Sequence, residues 1–228
     1  MYYFDKNFGL FVGELSQNKS HKHFAYQISI SVKSNMVLCI KENIEISEKA
    51  FFLNSNIEHT LISDSVQLTI LINPISSLGH QLHLAIGNKD FSILNNKLSK
   101  GLSKILNEFE KKEITFDSLC HKVSEVLFQY QCSCERENHV GDDRIIKAIQ
   151  FMEDNFEEVL SLELVSDHVH LSPTRFLHLF KEKTNINFRR FQLWNKLIKS
   201  LPYLMNNSIT DTKNFSSSMI CRIIQKTI

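Results

Sequence analysis

Apolar positions along this 228-residue chain change their spacing partway, and the change divides it. Up to about residue 90 they come in short runs rich in β-branched residues: Gln27–Val32 (QISISV), Val37–Ile40, Ala50–Leu53 and Val66–Ile72 (VQLTILI). Asn, Ser and Lys punctuate these runs, and regularly spaced short runs predict the strands of a sandwich or barrel. From Ser92 the spacing becomes helical. Leu94, Leu98, Leu102, Ile105, Leu106 and Phe109 fit one helix, and Leu119, Val123, Val126, Leu127 and Tyr130 a second. The polar stretch Cys132–Asp143, with Gly141 in it, reads as a linker. Ile145, Ile149 and Met152 then open another helical pattern, and no internal repeat is visible.

The stretch Ser161–Trp194, SLELVSDHVHLSPTRFLHLFKEKTNINFRRFQLW, carries the densest set of local signals. Ser161 is placed to cap a helix whose first turn holds Glu163, where a carboxylate suits the positive end of the helix dipole. Leu162, Val165 and Val169 supply its apolar stripe. A short turn at His170-Leu171 leads to Ser172-Pro173, a capping side chain followed by proline at the first helical position. Phe176, Leu179 and Phe180 fall on the buried side of this second helix, leaving Thr174, Arg175, Leu177 and His178 outside. Two short helices joined in this way, the second with an exposed N-terminal half, form the unit that enters a DNA major groove.

Charge strengthens that reading. The whole chain carries only +1, but His170–Ser200 holds Arg175, Lys181, Lys183, Arg189, Arg190, Lys196 and Lys199 against the single acid Glu182, a local +6. A solvated face would mix signs, whereas phosphate contacts need such a cluster and do not need a basic protein overall. Hydrophobic content of 43% and charged content of 22% suit a soluble globular protein rather than a disordered one. No run reaches the roughly 18 apolar residues needed to span a bilayer. The N-terminus lacks a basic segment and contains Asp5 and Glu14, unlike a secretory signal, and the five cysteines have no disulfide-like spacing. A cytoplasmic location, with no membrane partner, is the expectation.

The segment LxxxVHLSPxRFLHLFK followed by NFRRFxLW resembles the first helix-turn-helix of AraC-type transcriptional regulators over about 50 residues. The resemblance implies that Thr174, Leu177 and His178 face DNA bases. Pro173 and Arg175 then flank them, with Arg175, Lys181, Arg189 and Arg190 as phosphate contacts. The turn position often held by glycine carries His170. In the N-terminal half SHKHFAYQISI, NSNIEH and INPISS are similar to the cupin-type sensor domain of some AraC-type regulators. The implied fold class is α+β: a cupin-like β-barrel (1–90), a helical connector that could also dimerise (91–135) and an all-α DNA-binding domain (142–228). The first helix-turn-helix of that domain spans about 161–183.

His21, His23 and Gln27 form H-x-H-x-x-x-Q, with His59 on a later strand edge. Alternate strand positions point the same way, so His21 and His23 can converge. Metal-binding cupins place histidines and a carboxylate in this arrangement, and imidazoles suit Zn, Fe, Ni or Cu. Gln27 replaces the carboxylate, so hydrogen bonding inside the barrel or an organic effector is preferred here to a metal on His21, His23 and His59. No cofactor is expected. His80 and His83 read as surface residues. No nucleophile elbow, phosphate loop or H-E-x-x-H motif occurs, so an enzyme is not expected.

After Trp194, Ile198 and Leu201 the pattern of the family breaks. Pro202 interrupts the connecting helix, and Ser208-Ile209-Thr210-Asp211 offers a capping box. No glycine precedes Phe215, and the 17 residues after Asp211 are too few for a second helix-turn-helix and its closing helix. The second motif is therefore expected to be incomplete after residue 208. A single motif binds DNA weakly unless a homodimer supplies another. The expected function is an effector-responsive, sequence-specific regulator binding double-stranded DNA and a small molecule. The alternatives are a sensor-only or interfering protein without DNA binding and a metal-dependent cupin enzyme.

Overall fold

The computed structural model describes residues 1–5, 7–15, 19–40, 44–133, 140–155 and 158–196, which fall into two compact units, one of them Met1–Cys132. The expected incomplete second motif lies outside the described residues.

Among the described residues the first unit contains eight strands: β1 (Tyr2–Phe4), β2 (Phe8–Leu15), β3 (Tyr26–Ser31), β4 (Met36–Ile40), β5 (Ile44–Glu48), β6 (Ala50–Leu53), β7 (His59–Ile72) and β8 (Phe91–Ile93). All their pairings are antiparallel, along the path β1-β2-β7-β3-β6-β8, with β4 joining β5 to β7. The 14-residue β7 links the two parts of the sheet system: His59–Ile62 pairs with β4, and Gln67–Ile72 pairs with both β2 and β3.

Strand β3 shows how the two faces differ. Ile28 and Ile30 lie beside Ile70 and Leu68 and form one core with Leu98, Leu102, Leu119 and Val123. Those last four come from α2 (Lys97–Glu110) and α3 (Phe116–Phe128), so the helices cover this face. Gln27 and Ser29 share the opposite face with their partners Leu53 and Phe51, which pack with Met36, Leu38, Ile40 and Leu61. Every residue of β3 is consequently buried, polar ones included. The residues read as a connector are thus α2 and α3, packed against the sheet.

Capping fixes where these helices begin. Asn96 accepts from the Ser99 N–H at 3.0 Å while the Ser99 hydroxyl accepts from the Asn96 N–H at 3.1 Å. Leu94, expected in the first helix, therefore lies before it, just after β8. Tyr130 likewise lies beyond α3, which ends at the cap Gln129. Within the region read as β, Ser77–Ile86 form helix α1 with Leu78 and Leu82 inward. The Ser76 hydroxyl accepts from the Gly79 N–H at 3.1 Å, and a Cβ at Gly79 would sit 2.3 Å from the Asn73 carbonyl oxygen. Only glycine permits that approach. His83 of α1 is exposed, and His80 half-buried.

The second unit is helical: α4 (Asp143–Asp154), α5 (Leu162–His168), α6 (Pro173–Thr184) and a helical stretch, α7, at residues 188–196. The expected Ile145, Ile149 and Met152 are buried on α4. Phe176, Phe180, Phe188 and Phe191 form an aromatic cluster with ring centroids 5.4–6.3 Å apart in tilted and edge-on contacts, geometry that aromatic quadrupoles favour. Buried Asn195 donates to the Met152 carbonyl at 3.0 Å and Gln192 to the Leu160 carbonyl at 2.7 Å, tying α7 to α4 and to the start of α5. Trp194 is buried here as well. No helix among the described residues is long and apolar enough to cross a membrane.

Candidate functional sites: an exposed basic helix pair and a buried histidine cluster

Ser161 accepts from the Leu164 N–H at 3.1 Å and starts α5, with Glu163 in the first turn. Val165 and Val169 are buried. The chain then turns through His170, whose φ of 54° lies in the left-handed region that favours glycine. That is the position where the sequence carries histidine in glycine's place. Ser172 accepts from the Arg175 N–H at 3.4 Å, and Pro173 opens α6.

Two sides of α6 part cleanly. Phe176, Leu179 and Phe180 are buried, while Thr174, Arg175, Leu177, His178 and Lys181 are exposed. Leu177 is a large apolar side chain left 39% open, which packing alone does not account for. Arg189 and Arg190, early in α7, are exposed too. Among the described residues none of Arg175, Lys181, Arg189 and Arg190 has an acidic partner; Glu182 pairs instead with Lys183 at 3.3 Å. The surface therefore keeps its positive charge available to an outside anion.

The second site lies in the strand unit. His21 and His59 face each other across an isolated antiparallel bridge, His21 N–H to His59 O at 3.0 Å and the reverse at 2.8 Å. His23 lies close to both, with ring centroids 5.7 Å from His21 and 5.2 Å from His59; the His21 and His59 rings are 4.4 Å apart. Each ring directs Nδ1 at a backbone carbonyl 2.9 Å away: His21 to Lys19, His23 to Ala25, His59 to Ile57. A carbonyl only accepts, so Nδ1 carries the proton and each neutral ring keeps a bare lone pair on Nε2.

Burial holds the rings neutral. It is the main cause that pushes His23 down to about 4 and His59 down to about 2, with the neighbouring histidines adding to both; it also lowers His21. His23 and His59 are fully buried and His21 is half-buried. Among the described residues the Nε2 of His59 has no hydrogen-bond partner.

A polar lane runs on from the cluster. Gln27 Oε1 lies 3.0 Å from His23 Nε2, and the Gln27 amide reaches Ser29 Oγ at 3.0 Å, which reaches Thr69 Oγ1 at 3.2 Å. Ser31 and Ser65 pair at 3.0 Å, and Gln67, wholly buried beside Ser31 on β7, has neither amide atom partnered among the described residues. The four residues proposed from the sequence, His21, His23, Gln27 and His59, thus sit together. Ser29, Thr69 and Gln67 were missed; alternation in QISIS and QLT was their signal, which reads equally as a solvent-facing row.

Neither a protein-family model nor a curated protein sequence matches the chain. Its fold is similar to that of ToxT from Vibrio cholerae O395, with a TM-score of 0.50 and 14% identity over 98% of this chain and 88% of that one. Unsaturated fatty acid bound ToxT from strain SCE256 matches with 15% identity over 85% and 97% and a TM-score of 0.31. The AraC-like transcriptional activator CuxR matches with 12% identity over 89% of this chain and 74% of that one, at a TM-score of 0.35. ToxT and CuxR are AraC-family transcriptional regulators. At these identities the likeness is one of fold.

Proposed function

We propose that this chain is an AraC-like, effector-responsive transcription regulator. Helices α5 and α6 act as a helix-turn-helix, α6 lies in the major groove, and the strand unit is a cupin-like sensor for a small molecule. Thr174, Leu177 and His178 face the base edges, Pro173 and Arg175 flank them, and Arg175, Lys181, Arg189 and Arg190 contact phosphates. The carrying observation is the division of α6, where Thr174, Arg175, Leu177, His178 and Lys181 are exposed and, among the described residues, its cations Arg175 and Lys181 have no acidic partner, while Phe176, Leu179 and Phe180 are buried. The ToxT-like fold supports the same reading. The effector pocket is assigned to the lane of His21, His23, Gln27 and His59. The role is binding, not catalysis, and the effector changes how α6 is presented to DNA.

Fluorescence anisotropy tests this on duplex DNA from upstream of the chain's own gene, with a scrambled duplex and a salt titration on both. Four neutralised phosphates give a slope of log affinity against log salt of about −3.6. Tighter binding to the native duplex with a steep slope is expected. Equal affinity for both duplexes would refute base readout, and no binding by the folded chain would refute the DNA-binding role.

A further inference from the structure

The histidine cluster has the features of a metal centre, although the missing carboxylate argues against one in the sequence. We propose that His21, His23 and His59 hold one divalent transition-metal ion of the zinc class, with Gln27 Oε1 as a fourth donor.

Four observations carry the assignment. The ligand-capable atoms of the three histidines all lie within 4.8 Å of one another. All three Nδ1 atoms are engaged by backbone carbonyls, which orients the rings and leaves Nε2 for the ion, the outer-shell arrangement that ligating histidines use. The buried His59 Nε2 is a lone pair with nothing to accept from. Finally, Gln27 Oε1 and the bare His23 Nε2 confront each other at 3.0 Å, and two lone pairs at that distance repel, an opposition that a cation between them relieves. Turning the Gln27 amide end for end would satisfy His23, but His59 would still be left without a partner.

The chemistry of the donors selects the ion. Imidazole nitrogens favour zinc, nickel, copper or iron(II) over the oxygen-seeking calcium and magnesium. Nitrogens bound at about 2.0–2.1 Å in a tetrahedral site stand about 3.4 Å apart. From the 4.8 Å limit on the spacing of the ligand-capable atoms, the closing that an ion would require is about 1.4 Å at most. His21, half-buried at the edge of the cluster, gives the ion its entry. The neutral rings offer lone pairs at neutral pH without first losing protons. A neutral ligand set leaves the bound ion with its full positive charge, so affinity is lower than a carboxylate would give.

This inference gives a chemical class to the site assigned above to the effector, but it requires neither DNA binding nor signalling. The test uses the full chain stripped with a chelator and titrated with zinc chloride by calorimetry, with cobalt chloride followed by visible absorption. One ion per chain at micromolar affinity or tighter is expected, together with a rise in Tm and the intense bands of four-coordinate cobalt. His21→Ala and His59→Ala should each weaken binding about tenfold or more. His21→Ala, at the half-buried position, decides the matter if His59→Ala does not fold. Gln27→Glu should tighten binding, and unchanged affinity there would overturn Gln27 as a ligand. Binding no tighter than millimolar, or equal affinity in wild type and His21→Ala, would overturn the site. DNA anisotropy on the same stripped protein reads the regulator proposal separately, so failure of one is distinguishable from failure of the other.

Discussion

The two units of this protein treat polar groups in opposite ways. The strand unit takes them inside: His23, His59, Gln27, Ser29 and Gln67 are all buried. The helical unit keeps its buried side almost wholly aromatic and aliphatic and places Thr174, Arg175, His178, Arg189 and Arg190 at the surface. A buried polar group without a partner costs about 1–3 kcal/mol, so an interior lane in which the Gln67 amide and His59 Nε2 have no partner among the described residues is a stability sacrifice that a bound ligand can recover. An exposed cation costs the fold almost nothing. The contrast predicts that mutations at the helical surface separate function from stability, whereas those in the strand interior do not.

The sharpest break comes from removing a ring of the helical core. Phe180 is fully buried and touches Phe176, Phe188 and Phe191, so Phe180→Ala should destabilise that unit by about 3–5 kcal/mol. Fluorescence of Trp194, the single tryptophan and a residue of the same unit, followed through a urea titration measures it. A loss below about 1 kcal/mol would mean that the aromatic cluster is not the core it resembles.

Next in size is the paired change Arg189→Ala and Arg190→Ala. It should weaken DNA binding and flatten the salt slope by about 2, since two phosphate contacts are removed. Stability should move by less than about 0.5 kcal/mol because both side chains are exposed. Anisotropy and urea titrations on one preparation check both halves; unchanged binding would remove these arginines from the interface.

Gln67→Leu probes the strand interior. Exchanging an unpartnered buried amide for an apolar side chain of similar size should raise stability by about 1–2 kcal/mol, read from the shift of the urea midpoint by circular dichroism. A loss instead would show that protein or ordered water satisfies this amide.

The smallest effects sit in the turn before α6. Ser172→Ala removes a cap and should cost about 1 kcal/mol, while His170→Gly relieves a left-handed residue and should gain up to about 1 kcal/mol. Thermal melts of the two variants should therefore shift in opposite directions, and shifts of the same sign would contradict the turn geometry.

Much of the helical unit was legible in the sequence because its signals are local. Ser161, Ser172 and Pro173 announce helix starts within three residues of the groups they satisfy, and the spacing of Phe176, Leu179 and Phe180 marks the inner face. The strand unit was legible in part. QISISV, VLCI, AFFL and VQLTILI fall on β3, β4, β6 and β7. Elements β1, β2, β5, β8 and α1 carried no such signal: β2 and β8 depend on the distant partners β7 and β6, while β1 and β5 are short strands held in hairpins by β2 and β4. Helix α1 needs Gly79 because the Asn73 carbonyl packs against it, a close approach that the residue pattern does not display.

Local pattern by itself determined the order of strands before helices, the capped turn ahead of α6 and the division of α6 into an apolar and a polar side. Caps, periodicity and charge act within a few residues, so the chain records them directly. Tertiary structure alone decided that the polar residues of β3 turn inward, because which face of a strand is covered depends on the sheet and helices that pack on it. It also decided that His59 meets His21 and His23. The antiparallel register that joins them is set by the whole sheet, and no single segment contains it.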